Sequence, residues 1–425
     1  MNVGQALSGA LRYMIKDGMW RALKHRDYAL FAGVNSFSTV GLWVQRLGIQ
    51  WLAWDLTHSF AWLGAVAFGE AVAVSLVMPL GGSLVDRWDR LLIARVCQSL
   101  ATLIAALMAV LTMMHLMSIW MLMALMAVGG LNDGVWTPAR LALIPSRVPR
   151  EDLPAAIGLG SVLFNLSQFI GPAIAGILIA QCGVGSTFAV NAMTYVGTLI
   201  VLFFIRLRPS VRPKETAGGL IGGFAQAARY AFGHKALGPL IILSACVSLL
   251  LRPYRELLAG YADGIFDRGV EGLSLLASTS GLAAAASSIF IANFGRTKGL
   301  TRIVLISMLI NAGLLTVFAL TPSFTLALFA VAGMAALLTI IGISSQILVQ
   351  SSVPDHLRGR VMSLWGLQLR GVIPLGAWIM GLSAGVIGFQ ATLLAAAVLF
   401  MLCWFFFLSR GRDIAALERA EQPAE

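Results

Sequence analysis

The sequence predicts an all-α membrane protein in which twelve transmembrane helices form two six-helix bundles, with both termini in the cytoplasm. Three observations lead to this prediction: the composition, the length of the apolar runs and the placement of the basic residues. Of the 425 residues, 58% are hydrophobic and only 12% are Asp, Glu, Lys or Arg. Soluble domains carry roughly 25% charged residues, so most of this chain is expected to lie in lipid.

Apolar runs of membrane-spanning length begin at Tyr28 and recur along the chain. A helix needs about 20 residues to cross about 30 Å of hydrocarbon. The runs are continuously apolar rather than alternating, which favours helices over barrel strands, because a helix satisfies its own backbone hydrogen bonds. The predicted spans are 28–54, 60–82, 93–114, 118–138, 155–181, 187–205, 237–262, 272–294, 303–321, 324–349, 361–386 and 388–408.

The basic residues lie on one side of this predicted topology. With the N-terminus inside, 25 of the 30 Lys and Arg fall in the termini and in the loops assigned to the cytoplasm. This is the positive-inside distribution of membrane proteins. The net charge of +11 therefore indicates orientation in the lipid bilayer, and no nucleic-acid partner is expected.

The predicted spans fall into two halves of six. The polar stretch RLRPSVRPKETAGG after Ile205 is typical of a linker. Val148-Pro149 follows the fourth span and Val353-Pro354 follows the tenth, about half the chain apart. A six-span repeat with both copies starting inside implies two parallel bundles, which can rock about a central cavity in alternating access.

Five segments are predicted along the chain. Residues 1–27 alternate basic and apolar side chains at helical spacing, which fits a helix on anionic lipid or a basic tail without fixed structure. The segments are 1–27, cytoplasmic or interfacial; 28–205, the N-terminal bundle; 206–236, a cytoplasmic linker; 237–408, the C-terminal bundle; and 409–425, a cytoplasmic tail.

Several kinds of chemistry are not expected of this chain. The four cysteines stand singly in or beside spans, and the five histidines are scattered in loops, so neither a disulfide framework nor a metal site is predicted. The sequence contains no GxxxxGK[ST] phosphate loop. We therefore expect a protein that is not an enzyme, holds no cofactor and takes its energy from a proton gradient.

Charged residues cluster between the second and third spans, in the stretch GGSLVDRWDR at residues 81–90. Gly82 can let neighbouring helices approach closely. Asp86 can pair with a cation or a helix N-terminus across the bundle interface, while Arg87 and Arg90 can bind carboxylates or lipid phosphates. Such a cluster would hold the cytoplasmic side closed and release it during rocking. The alternative is a solvated basic loop.

This stretch resembles the signature loop of the major facilitator superfamily, G-x-x-x-D-[RK]-x-G-R-[RK]. The resemblance implies a transporter of two six-helix bundles, with a gating loop at Gly82, Asp86, Arg87, Asp89 and Arg90. The sequence departs from the pattern at two positions. Asp89 stands where the family has Gly, and Leu91 stands where it has a second basic residue, so the gate is expected to differ there.

The fifth span carries small residues in a pattern that resembles the antiporter motif of the same superfamily, g-x8-G-x3-G-P-x2-G-G. Ser167 and Ala175 replace two of its glycines. Small residues allow tight helix contact, and a proline can bend a helix. The resemblance to the motif favours export. The alternative is that these small residues serve helix packing alone. The residues that match or replace the motif are Gly158, Ser167, Gly171, Pro172 and Gly176.

Longer phrases across nearly the whole chain look like the branch that contains the enterobactin exporter and macrolide efflux proteins. One example is IPSRVPREDLPAAIGLGSVLFNLSQFIGPAIAGILIA. The resemblance implies an exporter in a bacterial inner (plasma) membrane. It does not name the cargo, because members of this branch move siderophores, antibiotics and other amphipathic molecules.

Charges within the spans need a reason, because a charge at mid-bilayer costs about 3 kcal/mol on insertion scales. Glu70 in the second span and Arg46 in the first lie at similar predicted depth. We expect the two to pair, either in proton coupling or as a static ion pair that holds the two helices together. Glu70 is also the first candidate proton carrier. Asp133 in the fourth span is the second, with structural pairing to Arg140 as its alternative.

The seventh span contains Arg252, Arg255 and Glu256 in its outer half, and Pro253 is expected to distort the helix there. The two arginines are candidates for binding anionic cargo. The alternative for Arg255 is an outer gate of salt bridges with Asp263 and Asp267. Further polar candidates in the first span are Asn35, Gln45 and Gln50, and Arg370 in the eleventh span is assigned a structural role.

The function predicted first is a proton-coupled exporter of a small amphipathic molecule, such as a siderophore or a drug-like compound, that works as a monomer by alternating access. A lipid or lysolipid flippase and an uptake symporter on the same fold are alternatives. A non-transporting membrane sensor or assembly partner is the alternative of another class, since fold does not decide function.

Overall fold

The structure is a computed structural model that describes residues 19–143, 149, 152–204, 220–294, 299–408 and 411–419. Within these residues every regular element is helical, as predicted. Residues 1–18 of the N-terminal segment 1–27, residues 206–219 of the linker 206–236, and residues 409–410 and 420–425 of the tail 409–425 lie outside the described residues.

In the first half of the chain, a short 3₁₀ turn, Met19–Lys24, precedes six long helices. The helices are α1 (Arg26–Thr57), α2 (Phe60–Arg87), α3 (Arg90–Met113), α4 (Ile119–Leu143), α5 (Leu153–Cys182) and α6 (Gly185–Phe204). Their bounds contain or closely match the predicted spans 28–54, 60–82, 93–114, 118–138, 155–181 and 187–205.

In the second half, the helix α7 (Leu220–Gly233) comes first and is followed by eight further helices of the described residues. These are α8 (Leu237–Cys246), α9 (Leu258–Gly264), α10 (Gly269–Phe294), α11 (Leu300–Leu320), α12 (Phe324–Ser352), α13 (Asp355–Leu367), α14 (Ile373–Ile387) and α15 (Phe389–Leu408). A short helix α16 (Gly411–Ala415) and a 3₁₀ turn, Ala416–Arg419, follow.

Eleven helical segments of the described residues are long and apolar enough to cross a membrane, so the protein is a multi-pass membrane protein. The helix α1, which corresponds to the predicted span 28–54, does not meet this criterion. Its 32 residues give about 48 Å of helix, which is ample length, but it carries polar and charged side chains such as Asn35, Gln45 and Arg46. The count of twelve spans and the cytoplasmic placement of the termini stay predictions.

Two of the membrane-spanning segments are interrupted. Between α8 and α9 the chain forms a π-helical turn, Val247–Leu251, and a 3₁₀ turn, Pro253–Leu257. Pro253 has no N–H to donate, and the Arg252 N–H reaches back five residues to the Val247 carbonyl at 3.1 Å. The predicted distortion at Pro253 is thus confirmed. A second π-helical turn, Gln368–Val372, joins α13 to α14.

The chain separates into two compact units. The first comprises Met1–Ile49 and Leu76–Lys214, and the second comprises Gln50–Ser75 and Glu215–Glu425. The second unit therefore includes the last residues of α1 and the first part of α2. The bounds predicted for the two bundles, 28–205 and 237–408, stay predictions.

Candidate functional site

The break between α8 and α9 places an arginine inside the second unit. The Arg252 Nη2 donates a hydrogen bond to the Leu338 carbonyl of α12 at 3.1 Å. Gly342 lies one turn further along α12, and a Cβ at Gly342 would lie 2.8 Å from the same Nη2. The absence of a side chain at Gly342 therefore lets the guanidinium reach the backbone of α12.

Polar atoms without partners lie around this arginine. The Arg252 Nε is buried and forms no hydrogen bond with the described residues. The Tyr254 and Ser280 hydroxyls are also buried, and within the same residues they have no partner other than each other. These two hydroxyls lie beside each other, and Arg255 lies within electrostatic range of Arg252. Buried polar groups usually have partners, so this break is the candidate functional site of the second unit.

The end of α1 contacts the same break through Gln50 and Trp54. The Gln50 Nε2 donates to the Glu256 carboxylate at 3.2 Å and to the Arg255 carbonyl at 3.3 Å. The Trp54 indole N–H donates to the Asp263 carboxylate at 2.7 Å. Within the described residues Arg255 forms no ion pair, so the salt bridges considered for it with Asp263 and Asp267 are not present in the structure.

Aromatic stacking packs the first part of α2 into the second unit. The Phe60 and Phe389 rings stack with centroids 4.3 Å apart, and the Phe68 and Trp378 rings stack at 4.9 Å. Glu70 follows Phe68 by two residues and is half-buried. The helix segment that carries Glu70 is thus packed into the second unit, and the role of Glu70 as a proton carrier stays a prediction.

The other charges predicted for coupling lie in the first unit. Asp133 of α4 is half-buried and lies within electrostatic range of the Cys97 thiol in α3. The Arg46 guanidinium lies 6.0 Å from the centroid of the Trp43 ring, a cation–π distance. Arg140 lies in the last turn of α4. The pairs Arg46–Glu70 and Asp133–Arg140 and the role in proton coupling stay predictions.

Gln45 belongs to a polar network within the first unit. Its Oε1 accepts a hydrogen bond from the Asn191 Nδ2 of α6 at 2.6 Å, and Asn191 is fully buried. A second α1–α6 contact joins the Ser38 and Thr198 hydroxyls at 2.6 Å. These hydrogen bonds join α1 to α6, and the cargo-binding role considered for Gln45 stays a prediction. Asn35 is half-buried, and its carbonyl accepts from the Thr39 hydroxyl at 2.7 Å.

The signature loop begins within helix rather than in a free loop. Gly82, Asp86 and Arg87 lie in α2, and their side chains are outside the described residues. Asp89 is the N-cap of α3, where its Oδ1 accepts from the Leu91 N–H at 2.8 Å. Arg90, half-buried, is the first residue of α3. The residue that departs from the family pattern thus stabilises a helix start.

The glycine that brings α2 and α4 together was missed by the sequence reasoning. It is Gly81, next to Gly82: a Cβ at Gly81 would overlap the Gly134 carbonyl and lie 2.9 Å from the Val135 Cα. One residue turns a helix by about 100°, so adjacent glycines lie on different faces. In the sequence, Gly134 directly follows the candidate residue Asp133. This glycine was the signal that α4 offers a small residue to a neighbouring helix.

The antiporter-like motif in α5 contains one close helix contact. A Cβ at Gly171 would overlap the Trp43 Cβ of α1 and lie 3.1 Å from the Trp43 carbonyl carbon. The Ser167 hydroxyl donates to the Leu163 carbonyl of its own helix at 2.8 Å. Pro172 and Gly176 are buried, whereas a Cβ at Gly158 would meet nothing within 4 Å. Tight packing therefore centres on Gly171.

A charged cluster ties the start of the described chain to the start of α5. The Arg21 Nε lies 3.0 Å from one Asp152 oxygen, and the His25 Nε2 lies 2.7 Å from the other. The hydrogen bond from His25 lowers the pKa of Asp152, and the charges of Arg21, His25 and Lys24 act in the same direction against partial desolvation. Partners 127 residues apart in the chain gave no local signal in the sequence.

Two further polar residues lie near helix ends. Glu418 accepts hydrogen bonds from the Gly299 and Thr301 N–H groups at 2.6 and 2.7 Å, at the start of α11. Arg370 lies in the π-helical turn between α13 and α14 with an exposed side chain. The structural role predicted for Arg370 stays a prediction.

Comparison with known proteins gives consistent similarities over most of the chain. A family model described as transmembrane secretion effector matches residues 18–422. The Staphyloferrin A transporter of Staphylococcus aureus (strain NCTC 8325 / PS 47) is 23% identical over 382 residues, covering 87% of this chain and 93% of that protein. The multidrug efflux pump Tap of Mycolicibacterium fortuitum is 25% identical over 401 residues, covering 91% and 96%.

The Enterobactin exporter EntS of Shigella boydii serotype 18 is 26% identical over 338 residues, covering 77% of each chain. Among solved structures, a bacterial homolog to the human lysosomal transporter Spinster, crystallised in an inward-facing and occupied conformation, is similar with a TM-score of 0.72. That likeness covers 94% of this chain and 99% of the other at 14% identity. At this identity it shows the fold alone, which is that of the major facilitator superfamily.

Proposed function

Since this chain belongs to the transmembrane secretion effector family of the major facilitator superfamily, we propose that this secondary transporter exports a small amphipathic molecule in exchange for protons. The cargo class is a siderophore or a drug-like compound, and the site of action is a bacterial inner membrane. Relatives described as a Staphyloferrin A transporter, an Enterobactin exporter and a multidrug efflux pump support export of such molecules.

One observation about the site carries the cargo proposal: a membrane-spanning segment, Leu237–Gly264, is interrupted where Arg252 and Arg255 stand. In transporters, discontinuous helices commonly form the substrate site, because the broken backbone and charged side chains are tolerated where they line a cavity. Polar groups of the cargo bind at this break, and apolar helix faces contact the rest of the molecule.

Proton coupling in this proposal uses a carboxyl within the apolar helices. Glu70 of α2 and Asp133 of α4 are the two candidates, because both are half-buried within membrane-spanning helices. A carboxyl in such surroundings favours its neutral form, and a nearby cation favours its charged form. Cargo binding or rocking of the bundles would switch the balance and release the proton inside as cargo leaves.

The test is transport in proteoliposomes under an imposed pH gradient, with a panel of siderophores and hydrophobic antibiotics. Cargo should move opposite to the proton flux, and Glu70→Gln or Asp133→Asn should abolish coupled movement. Glu271→Gln, at an exposed carboxylate in the first turn of α10, is the matched control and should transport normally. Cargo and protons moving in the same direction would indicate uptake, and flux that ignores the gradient and both variants would contradict proton coupling.

A further inference from the structure

Two cationic side chains, Arg252 and Arg255, lie in the break between α8 and α9. Neither Arg252 nor Arg255 forms an ion pair within the described residues. Glu256, the acidic residue next to Arg255, accepts a hydrogen bond from Gln50. The segment that carries these arginines is long and apolar enough to cross a membrane. A guanidinium in such a segment is unfavourable unless an anion or a polar group compensates it.

Some hydrogen-bond donors at the break between α8 and α9 also have no acceptor among the described residues. Within the described residues the Arg252 side chain makes one hydrogen bond, from its Nη2 to the Leu338 carbonyl, and its buried Nε makes none. Tyr254 is 1% exposed and Ser280 is fully buried, and apart from each other their hydroxyls have no hydrogen-bond partner in the part of the chain that the structure describes. One of the two hydroxyls can donate to the other, so the second hydroxyl hydrogen and the Arg252 Nε–H are left without an acceptor.

We propose that this break is a binding site for a carboxylate group of the cargo, with Arg252 as its charged residue and the Tyr254 and Ser280 hydroxyls as further donors. The inference rests on the proposed function, because it names a chemical feature of the exported molecule. A carboxylate has two oxygens that accept several hydrogen bonds, and its pairing with a guanidinium is among the strong charge-assisted contacts. It would neutralise part of the positive charge that the helix break carries.

Gly342 decides where the guanidinium lies. With a hydrogen in place of a side chain, Gly342 leaves room for the Arg252 Nη2, which a Cβ would approach to 2.8 Å. The hydrogen bond to Leu338 then holds the guanidinium against α12, with its Nε available to a ligand. Gly342 is therefore a positioning residue of the proposed site, which acts through Arg252.

The experiment measures binding of benzoate and of its neutral analogue benzamide to the full-length protein in detergent, by calorimetry at constant ionic strength. Benzoate should bind and benzamide should not. Arg252→Gln should weaken benzoate binding by about tenfold or more, because a charge-assisted hydrogen bond is lost, and Arg252→Lys should retain part of the affinity. Arg370→Gln, an exposed arginine in the other π-helical turn, is the matched control and should bind like wild type.

Two milder variants keep the test valid if Arg252→Gln does not fold. Tyr254→Phe removes one hydroxyl, and Gly342→Ala displaces the guanidinium by a methyl group; both should weaken benzoate binding. Equal affinity for benzoate and benzamide, or unchanged affinity in all variants at Arg252, Tyr254 and Gly342, would overturn the site. Inorganic phosphate that binds as well as benzoate would overturn the assignment to carboxylates.

Different experimental results would contradict the proposed carboxylate site and the proposed export function. Arg252-dependent benzoate binding without export of any compound in the panel would contradict the exporter and support the site. Export of carboxylated and uncharged cargo at equal rates in wild type and in Gly342→Ala would support the exporter and contradict the site.

Discussion

Gly171 of α5 lies directly against Trp43 of α1, so closely that a Cβ on the glycine would overlap the Trp43 Cβ. The antiporter-like motif therefore includes a close contact between two helices of the first unit. Gly158, at the other end of the motif, faces open space. Because only one of these two glycines is in close contact with another helix, substituting each in turn distinguishes the effect of helix contact from that of helix flexibility.

The variant Gly171→Ala is expected to lower the free energy of unfolding by about 1–3 kcal/mol, as overpacking does. Gly158→Ala is the control in the same helix, and it should be neutral or stabilising by up to about 1 kcal/mol because alanine favours helix. Thermal unfolding of the purified variants in detergent measures both. Equal unfolding temperatures for the two variants would show that the α1–α5 contact tolerates a methyl group.

Asp89 is expected to matter as a helix cap rather than as a gating charge. Asp89→Ala should reduce stability by about 1 kcal/mol, because the Leu91 N–H loses its acceptor, whereas Asp89→Ser keeps a capping oxygen. Unfolding temperatures and transport rates of both variants provide the measurement. A transport defect in Asp89→Ser, with normal stability, would restore the gating role.

The cluster at Asp152 predicts a pH-dependent contribution to stability. Because His25 and the neighbouring cations hold the pKa of Asp152 below its ordinary value of 3.8, the folded state binds this proton less readily than the unfolded state. The contribution is therefore fully present above pH 3.8 and is lost as the pH falls through the lowered value.

Wild type should consequently be more stable than Asp152→Asn at neutral pH, and the difference should shrink below pH 3.8. Unfolding temperatures of the two proteins, recorded across this range, give the measurement. Asp55→Asn, which removes an exposed carboxylate near the end of α1, is the control for loss of a surface charge. A difference that does not change with pH would contradict the electrostatic origin.

Gln45 and Asn191 are expected to be energetically coupled. Gln45→Ala leaves the fully buried Asn191 Nδ2 without its partner at 2.6 Å, which should cost about 1–3 kcal/mol. The double variant with Asn191→Ala should cost less than the sum of the single variants, with a coupling energy of about 0.5 kcal/mol or more. Additive effects, together with a changed KM for cargo, would favour the binding role predicted for Gln45.

The sequence predicted the helices well because the length of each apolar run can be read directly from consecutive residues. It also predicted the distortion at Pro253, which follows from a missing N–H. It could not predict partners across helices. Depth in the membrane follows from counting residues, but the direction in which a side chain points depends on helix rotation and on neighbours far away in sequence.

Particular residues show this limit. The close contact with α4 is made at Gly81, one residue before the Gly82 of the predicted loop. Gln45 was predicted to bind cargo, although its amide is bonded to Asn191. Arg252 lies within its predicted span, but its position relative to Tyr254, Ser280 and Gly342 follows only from the packing of neighbouring helices.

Glu418 has a practical consequence for work with this protein. Its carboxylate accepts from two backbone amides at the start of α11, and the nearby Ile414 and Leu417 are buried. The segment after the last membrane-spanning helix is thus built into the fold. Purification tags and reporter fusions should follow residue 419 through a flexible spacer, and a truncation before Ile414 should yield less folded material than one after residue 419.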